Sequence, residues 1–288
     1  MDADKPTDRS AHRGRWCPEL KGKCAIVTGA GRFRSIGRQI ALELARQGVN
    51  IVLTGTGRDP SRFPSEEREI GWNDITSVAA EVKAAGADAL PLVSDVGDPR
   101  SVDGVMAAAI DRFGGIDVLI NNAGAAIGAD RAPVVELAVE EWNRVLRVNL
   151  DGAFLMSRAA AQAMIARGKG GAIVNISSIG SRQAIARSAA YTASKAALNA
   201  LSRVMAVELA PHDIRVNAVL PGLVKTSRLA ELDLSKGDQW DAFVKSYVPL
   251  GVAGDGSEIA WMCTFLCSDM GRWITGQDIC VDGGSTWH

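Results

Sequence analysis

Tyr191 and Lys195 stand four residues apart in "YTASK", downstream of Ser178 in "NISS". Positions i and i+4 of a helix share a face, so phenol and ammonium project together. A tyrosine is a weak proton-transfer group at its ordinary pKa of about 10. A neighbouring ammonium favours the phenolate, and each unit of lowering is worth about 1.4 kcal/mol. Lowering by roughly two or three units would bring such a phenol near working pH, where proton transfer is most effective. Ser178 ends an apolar run, where its hydroxyl would meet a substrate oxygen. Alone, Tyr-x-x-x-Lys in an alanine-rich helix also describes a core tyrosine beside a surface lysine. The serine at a strand end makes the set specific.

The elements that must position these groups are legible in the hydropathy pattern. Short runs rich in Val, Ile and Leu at 24–29, 50–55, 89–94, 117–121, 171–177, 214–219 and 278–282 predict strands. Helical periodicity covers 36–47, 74–85, 99–113, 140–167, 188–210 and 256–268. Strands apolar on both faces suit a parallel sheet covered by helices, and strict alternation predicts a single doubly wound α/β domain with a seven-stranded sheet. Residues 1–20 are expected to form a flexible extension, with the catalytic domain over 21–288. Two polar, turn-rich connections, 54–72 and 225–250, leave the C-terminal ends of strands, where ligands bind in such sheets. The second, mixing helix-forming apolar positions with Gly and Pro, is expected to be a substrate lid.

After the first strand the chain reads "TGAGRFRSIGR" (28–38), a glycine turn leading into a helix, as a dinucleotide phosphate requires. Gly29 and Gly31 are followed by Arg32, Phe33, Arg34 and Ser35 before Ile36 and Gly37. The usual G-x-G-x-x-G spacing is therefore stretched. Ser35 suits the N-cap of the helix from Ile36.

Together with this turn, "NNAG" (Asn121, Asn122, Ala123, Gly124), "RVNLDGAF", "NISS", "YTASK", "LPGLVKT" and "ITGQDICVDGG" closely resemble the short-chain dehydrogenase/reductase family over nearly all of 22–286. The resemblance implies a Rossmann fold. It implies an alcohol dehydrogenase or ketoreductase in which Ser178, Tyr191, Lys195 and Asn149 form the catalytic set and hydride passes to or from a nicotinamide. It further implies cofactor contacts from Gly29, Gly31, Arg32, Arg34, Ser35, Ile36, Gly37, Asn122, Ala123 and Gly124. Asp95 and Val96 would meet the adenine, and Pro221, Gly222, Val224 and Thr226 the nicotinamide and diphosphate; Tyr191 and Lys195 would also touch the cofactor. Compared with the family's T-G-x-x-x-G-x-G turn, two residues are inserted and Ser35 replaces a glycine.

NAD-preferring members carry an acid near the end of the second strand. Here Thr54 and Gly55 stand there, followed by Arg58, whose planar fork suits a 2′-phosphate. NADP(H) is therefore favoured, with NAD(H) possible and Asp59 near enough to reverse the choice. The expected substrate walls are Ala125 to Gly128, Ile179, Gly180, Ile185, Ala186 and the 225–250 segment. With few charges among them, a neutral alcohol or ketone is expected rather than a strongly anionic one.

A near-neutral chain, net charge −1, gives no reason to expect nucleic acid or an anionic membrane. No apolar run approaches the ~20 residues of a membrane span. Five scattered cysteines and three distant histidines lack the clustering of a zinc site, so no metal is expected. The reading is a reduced cytoplasmic protein, a homotetramer or homodimer on family grounds. Two other classes stay open: a dinucleotide-binding regulatory or scaffold protein, and a redox-neutral dehydratase or epimerase. The complete Ser-Tyr-Lys set argues against the first.

Overall fold

The computed structural model describes residues 15–227 and 238–286; residues 1–14 of the expected extension and 228–237 of the expected lid lie outside the described residues. Seven strands form one parallel sheet: β1 (Cys24–Val27), β2 (Asn50–Gly55), β3 (Ala89–Val93), β4 (Val118–Asn121), β5 (Gly171–Ile176), β6 (Ile214–Pro221) and β7 (Asp278–Val281). Their order is β3-β2-β1-β4-β5-β6-β7, so the winding reverses between β1 and β4. Ligands bind at such a switch point, and the glycine turn and "NNAG" follow these two strands.

The helices are α1 (Ile36–Arg46), α2 (Ser65–Glu69), α3 (Asp74–Ala84), α4 (Pro99–Phe113), α5 (Val139–Leu146), α6 (Gly152–Arg167), α7 (Ala189–Leu209), α8 (Asp238–Tyr247) and α9 (Gly256–Cys267). Two apolar clusters cover the two sheet faces. One joins α1, α3 and α9 through Ile40, Leu44, Val78 and Cys263; the other joins α4, α6 and α7 through Val105, Met156, Met164 and Met205.

Three features depart from the sequence reading. The expected 140–167 helix is interrupted by a π-helical turn over Arg147–Asp151. The 54–72 connection is not featureless: it contains α2, whose Glu67 is 1% exposed. The extension ends earlier than residue 20, because Cys17 and Leu20 are fully buried and Trp16 donates its indole N–H to Glu43 (3.0 Å). An apolar pair inside a polar stretch had hidden that anchor.

Candidate active site

The expected catalytic residues come from three elements. Ser178 follows β5 in extended conformation and caps a short 3-10 turn, its Oγ accepting from Gly180 N–H (3.0 Å). Tyr191 lies in the first turn of α7, and Lys195 one turn later is 5% exposed. The Lys195 ammonium donates to the carbonyl of Ile176 at the end of β5 (2.7 Å). This bond ties α7 to the strand that carries Ser178.

Asn149 lies in the π-turn between α5 and α6. Its Oδ1 accepts from Ala125 N–H (2.8 Å), and its amide donates to Ser194 Oγ (3.0 Å), which donates to the Tyr191 carbonyl (2.7 Å). A π-turn adds a residue to one helical loop and often marks a functional site. Here it turns Asn149 inward at 1% exposure, bridging the chain after β4 to the start of α7.

The glycine turn is pinned to β4. Thr28 Oγ1 accepts from the N–H groups of Asn122 and Ala123, both at 3.0 Å, while the Asn122 amide donates to the carbonyls of Thr28 and Gly29. A Cβ on Gly37 would lie 2.4 Å from the Asn122 amide nitrogen, and one on Gly29 would lie 2.7 Å from Ala123 Cα. Only glycine permits these approaches. Ser35 caps α1 as expected, accepting from Arg38 N–H (3.2 Å) and donating to the Arg32 carbonyl (2.9 Å).

The two anomalies of the sequence, the stretched turn and the 54–72 connection, are one interlocked unit. Phe33 N–H donates to Glu67 (2.8 Å), Arg34 pairs with Glu66 (2.5 Å), and the Trp72 indole donates to the Gly31 carbonyl (2.7 Å). Arg38 lies over the rings of Phe33 and Trp72 and pairs with Glu81. The inserted residues of the turn are thus the docking surface for α2 and Trp72.

This unit changes the reading of the adenosine end. Arg58 is engaged by Glu67 (2.9 Å) and by Asp74 (3.0 Å), so its fork serves two carboxylates. Asp74 begins α3 with φ 47°, a left-handed conformation costly for a non-glycine residue. It is 7% exposed, and its Oδ2 is buried without a hydrogen-bond partner. Cβ atoms on Gly31 and Gly55 would lie 1.7 Å from Asp74 Oδ1 and 3.5 Å from Oδ2. The acid missing from the end of β2 therefore arrives at that corner from α3, a position that strand spacing did not indicate.

A cavity of about 510 Å³ runs along the C-terminal edge of the sheet. It brings together Gly29, Arg32, Arg34, Ser35, Ile36, Asn122, Gly124, Ser178, Tyr191, Lys195, Pro221, Gly222, Val224 and Thr226 of the expected site. Gly31, Gly37, Thr54, Arg58, Asp95, Val96, Ala123 and Asn149 do not line it. Thr54 is 1% exposed inside β2, and its carbonyl accepts from Ala30 N–H, so it shapes the turn through the backbone. Asp95 pairs with Arg147 (2.6 Å). Burial opposes its charge, but hydrogen bonds from Arg147 and Gly97 and the arginine's charge outweigh that, holding the carboxyl below its usual range.

Of the expected substrate walls, Ala125, Ala126, Ile127, Ile179, Gly180 and Ile185 line the cavity, whereas Gly128 and Ala186 do not. From the 225–250 segment Val224's neighbour Thr226 and, on α8, Tyr247 reach it; Tyr247 donates to Gln183 (2.6 Å). The expectation of few charges is corrected: Arg32, Arg34, Arg131 and Lys195 all line the cavity, and among the described residues no carboxylate does. Arg131 was missed because nothing in its local sequence shows that the loop after β4 returns over Tyr191.

Among the described residues no group of three or more His, Cys, Asp or Glu could hold a metal, and no helix is long and apolar enough to cross a membrane. The residues fit a dinucleotide. The glycine cradle, the polar corner with its unpartnered Asp74 oxygen and a cavity continuous from Gly29 to Tyr191 are what such a ligand requires.

Comparison with known proteins agrees. A family profile described as "Enoyl-(Acyl carrier protein) reductase" matches residues 29–286. The chain is 38% identical to an L-rhamnose 1-dehydrogenase (NAD(P)(+)) of Azotobacter vinelandii, over 92% of this chain and 97% of that protein. It is 36% identical to a trans-4-hydroxycyclohexanecarboxylate dehydrogenase of Sinomonas cyclohexanicum, over 92% and 93% of the two chains. The solved structure of a short-chain type dehydrogenase/reductase from Mycobacterium marinum superposes with a TM-score of 0.76 at 32% identity, covering 93% and 96%.

Proposed function

The chain belongs to the short-chain dehydrogenase/reductase family, and on that premise we propose that this NAD(P)-dependent oxidoreductase interconverts a secondary alcohol and a ketone. The observation that carries the reading is a cavity lined both by the glycine turn and by Ser178, Tyr191 and Lys195. The relatives named for rhamnose and for a hydroxycyclohexanecarboxylate support alcohol chemistry over dehydration or epimerisation.

When bound, a nicotinamide cofactor would supply or accept the hydride. Ser178 orients the substrate oxygen and stabilises charge developing on it. Tyr191 gives that oxygen its proton in reduction and takes it in oxidation. Lys195, held by the Ile176 carbonyl, brings positive charge to the helix face that carries Tyr191. Asn149 fixes the start of α7 through Ser194, keeping Tyr191 in position.

The cofactor preference expected from Arg58 is revised by its partners. With its fork engaged by Glu67 and Asp74, Arg58 is not set to receive a 2′-phosphate, and the Asp74 carboxylate suits free ribose hydroxyls. NAD(H) is therefore the preferred cofactor. The exposed apolar side chains Phe154 on α6 and Val204 and Val207 on α7 support an oligomer built on these helices, and Tyr247 supports a lid role for the segment around α8.

The test is absorbance at the nicotinamide band with a panel of secondary alcohols and ketones. Oxidation or reduction of at least one member supports the reading. Cofactor binding with no turnover across the panel would favour a regulatory role.

A further inference from the structure

Ser178 is held through its backbone as well as through its hydroxyl. Its carbonyl accepts two bonds from Ser181, the N–H at 3.0 Å and the hydroxyl at 2.6 Å. Ser181 Oγ in turn accepts from the side-chain amide of Asn199 (2.9 Å). Asn199 lies on α7, one helical turn beyond Lys195 and two beyond Tyr191, and is 5% exposed. A chain of donors thus runs from the helix that carries Tyr191, through Ser181, to the backbone of Ser178.

The same helix fastens the two residues before it. Lys195 donates to the Ile176 carbonyl, and the Ser177 hydroxyl donates to the Lys195 carbonyl (3.2 Å). Residues 176, 177 and 178 are therefore each tied to α7, the last through Ser181 and Asn199. The turn also abuts the tyrosine. A Cβ on Gly180 would lie 3.3 Å from Ser178 Oγ and 3.5 Å from Tyr191 Cε1. A shift of this turn therefore moves the serine hydroxyl relative to the phenol. Stability alone does not account for the amide. Asn199 Oδ1 is buried with no hydrogen-bond partner among the described residues, and a half-satisfied buried amide costs about as much as its one bond contributes.

We propose that Asn199 is a positioning residue for catalysis: through Ser181 it fixes the turn that aims the Ser178 hydroxyl at the substrate oxygen. Such a bond has leverage on rate, because a misplacement of ~1 Å at a reacting centre can cost about a hundredfold. The catalytic role of Ser178 rests on the oxidoreductase reading, whereas the placement of its turn does not.

Asn199→Leu nearly keeps the volume and removes the donor. Hydrogen exchange followed by mass spectrometry reads the turn without turnover. The amides of Gly180 and Ser181, bonded to the Ser178 hydroxyl and carbonyl, should exchange about tenfold faster, with those of Cys24–Val27 in β1 unchanged. Turnover is measured with NADH and three ketones: cyclohexanone, 4-oxocyclohexanecarboxylate and acetoin. In Asn199→Leu kcat should fall about tenfold to a hundredfold, with NADH affinity within about twofold. Ser178→Ala alone should cost about 10²–10³-fold. Adding Asn199→Leu to it should cost at most about twofold more, because the hydroxyl to be aimed is gone.

An unchanged kcat in Asn199→Leu, or an equal loss with and without the Ser178 hydroxyl, overturns the proposal. Faster exchange in β1 together with the turn overturns it as well, since that marks a general loss of stability. Ser181→Ala breaks the same chain at its half-buried middle; it should reproduce both effects, and it decides if Asn199→Leu does not fold. Reduction of none of the three ketones, with faster exchange confined to the turn, would leave Asn199 in its role and refute the oxidoreductase reading. Reduction of a ketone, with exchange and kcat untouched by either variant, would do the reverse.

Discussion

Replacing Glu67 with glutamine removes one of two charges that hold Arg58, while nearly preserving the shape of the side chain. The Glu67 side chain is 2% exposed; it receives Arg58 Nη1 at 2.9 Å and Phe33 N–H at 2.8 Å. An amide oxygen can still accept from Phe33, so the loss is mainly that of the charged contact. A hydrogen bond to a charged group contributes about 1.5–3 kcal/mol and a neutral one about 1, so a cost near 2 kcal/mol is expected. With a urea dependence of about 3 kcal/mol per molar for a chain of this size, the unfolding midpoint falls by ~0.7 M. The charge of the adenosine corner also becomes less negative by one. At an effective dielectric of about 20, a unit charge roughly 10 Å from a phosphate charge contributes about 1.7 kcal/mol. The NADPH-to-NADH affinity ratio should therefore rise about fifteenfold. Urea unfolding followed by tryptophan fluorescence and titration of nicotinamide fluorescence read both effects. A midpoint moved by less than about 0.2 M with an unchanged ratio would refute the coupling of α2, the stretched turn and the cofactor corner.

Gly37→Ala drives a methyl group into the Asn122 amide, which is itself bonded to Thr28 and Gly29. A clash in so constrained a place costs about 1–3 kcal/mol, and NADH affinity by fluorescence titration should fall at least about tenfold; an unchanged affinity would contradict the pinned turn. Alkaline pH should destabilise the fold through its thiols. Burial pushes Cys24 up to about 12, with the Asp117 charge adding to it; burial also pushes Cys267 to about 12 and Cys263 well up. Below the ordinary thiol value of 9.0 both states keep these protons; above it the unfolded chain loses protons that the folded chain retains. Stability should then fall by about 1.4 kcal/mol per pH unit for each thiol between pH 9 and 12. Urea midpoints at pH 8 and 10 measure this, and Cys24→Ala should reduce the slope by about one thiol's share.

What the sequence made legible follows from which interactions are local. Strands β1, β2 and β4 to β6 are apolar on both faces, and the parallel sheet follows from that pattern alone. Tyr191 and Lys195 were readable because helical geometry fixes their relation, and Ser35 because a cap acts within one turn. Other features depend on partners distant in the chain. The burial of Glu67 requires Arg58 and Phe33, and the anchoring of Trp16 requires Glu43. Asp74 was out of view because it enters the adenosine corner from α3 rather than from the end of β2. The π-turn that aims Asn149 is a backbone shift inside an otherwise unbroken helical period. Arg131 looks like a solvated loop residue until the fold brings it over Tyr191.

The proton role of Tyr191 is tested most directly by Tyr191→Phe, which removes one hydroxyl and keeps the ring beneath Arg131. Nicotinamide fluorescence should show NADH affinity within about threefold of the unmodified enzyme. Single-turnover reduction of a ketone substrate, followed at the nicotinamide band, should slow by about 10²–10⁴-fold, the range of a lost general acid. Reduction within tenfold of the unmodified rate, with cofactor binding intact, would contradict the assignment of Tyr191 as the proton donor.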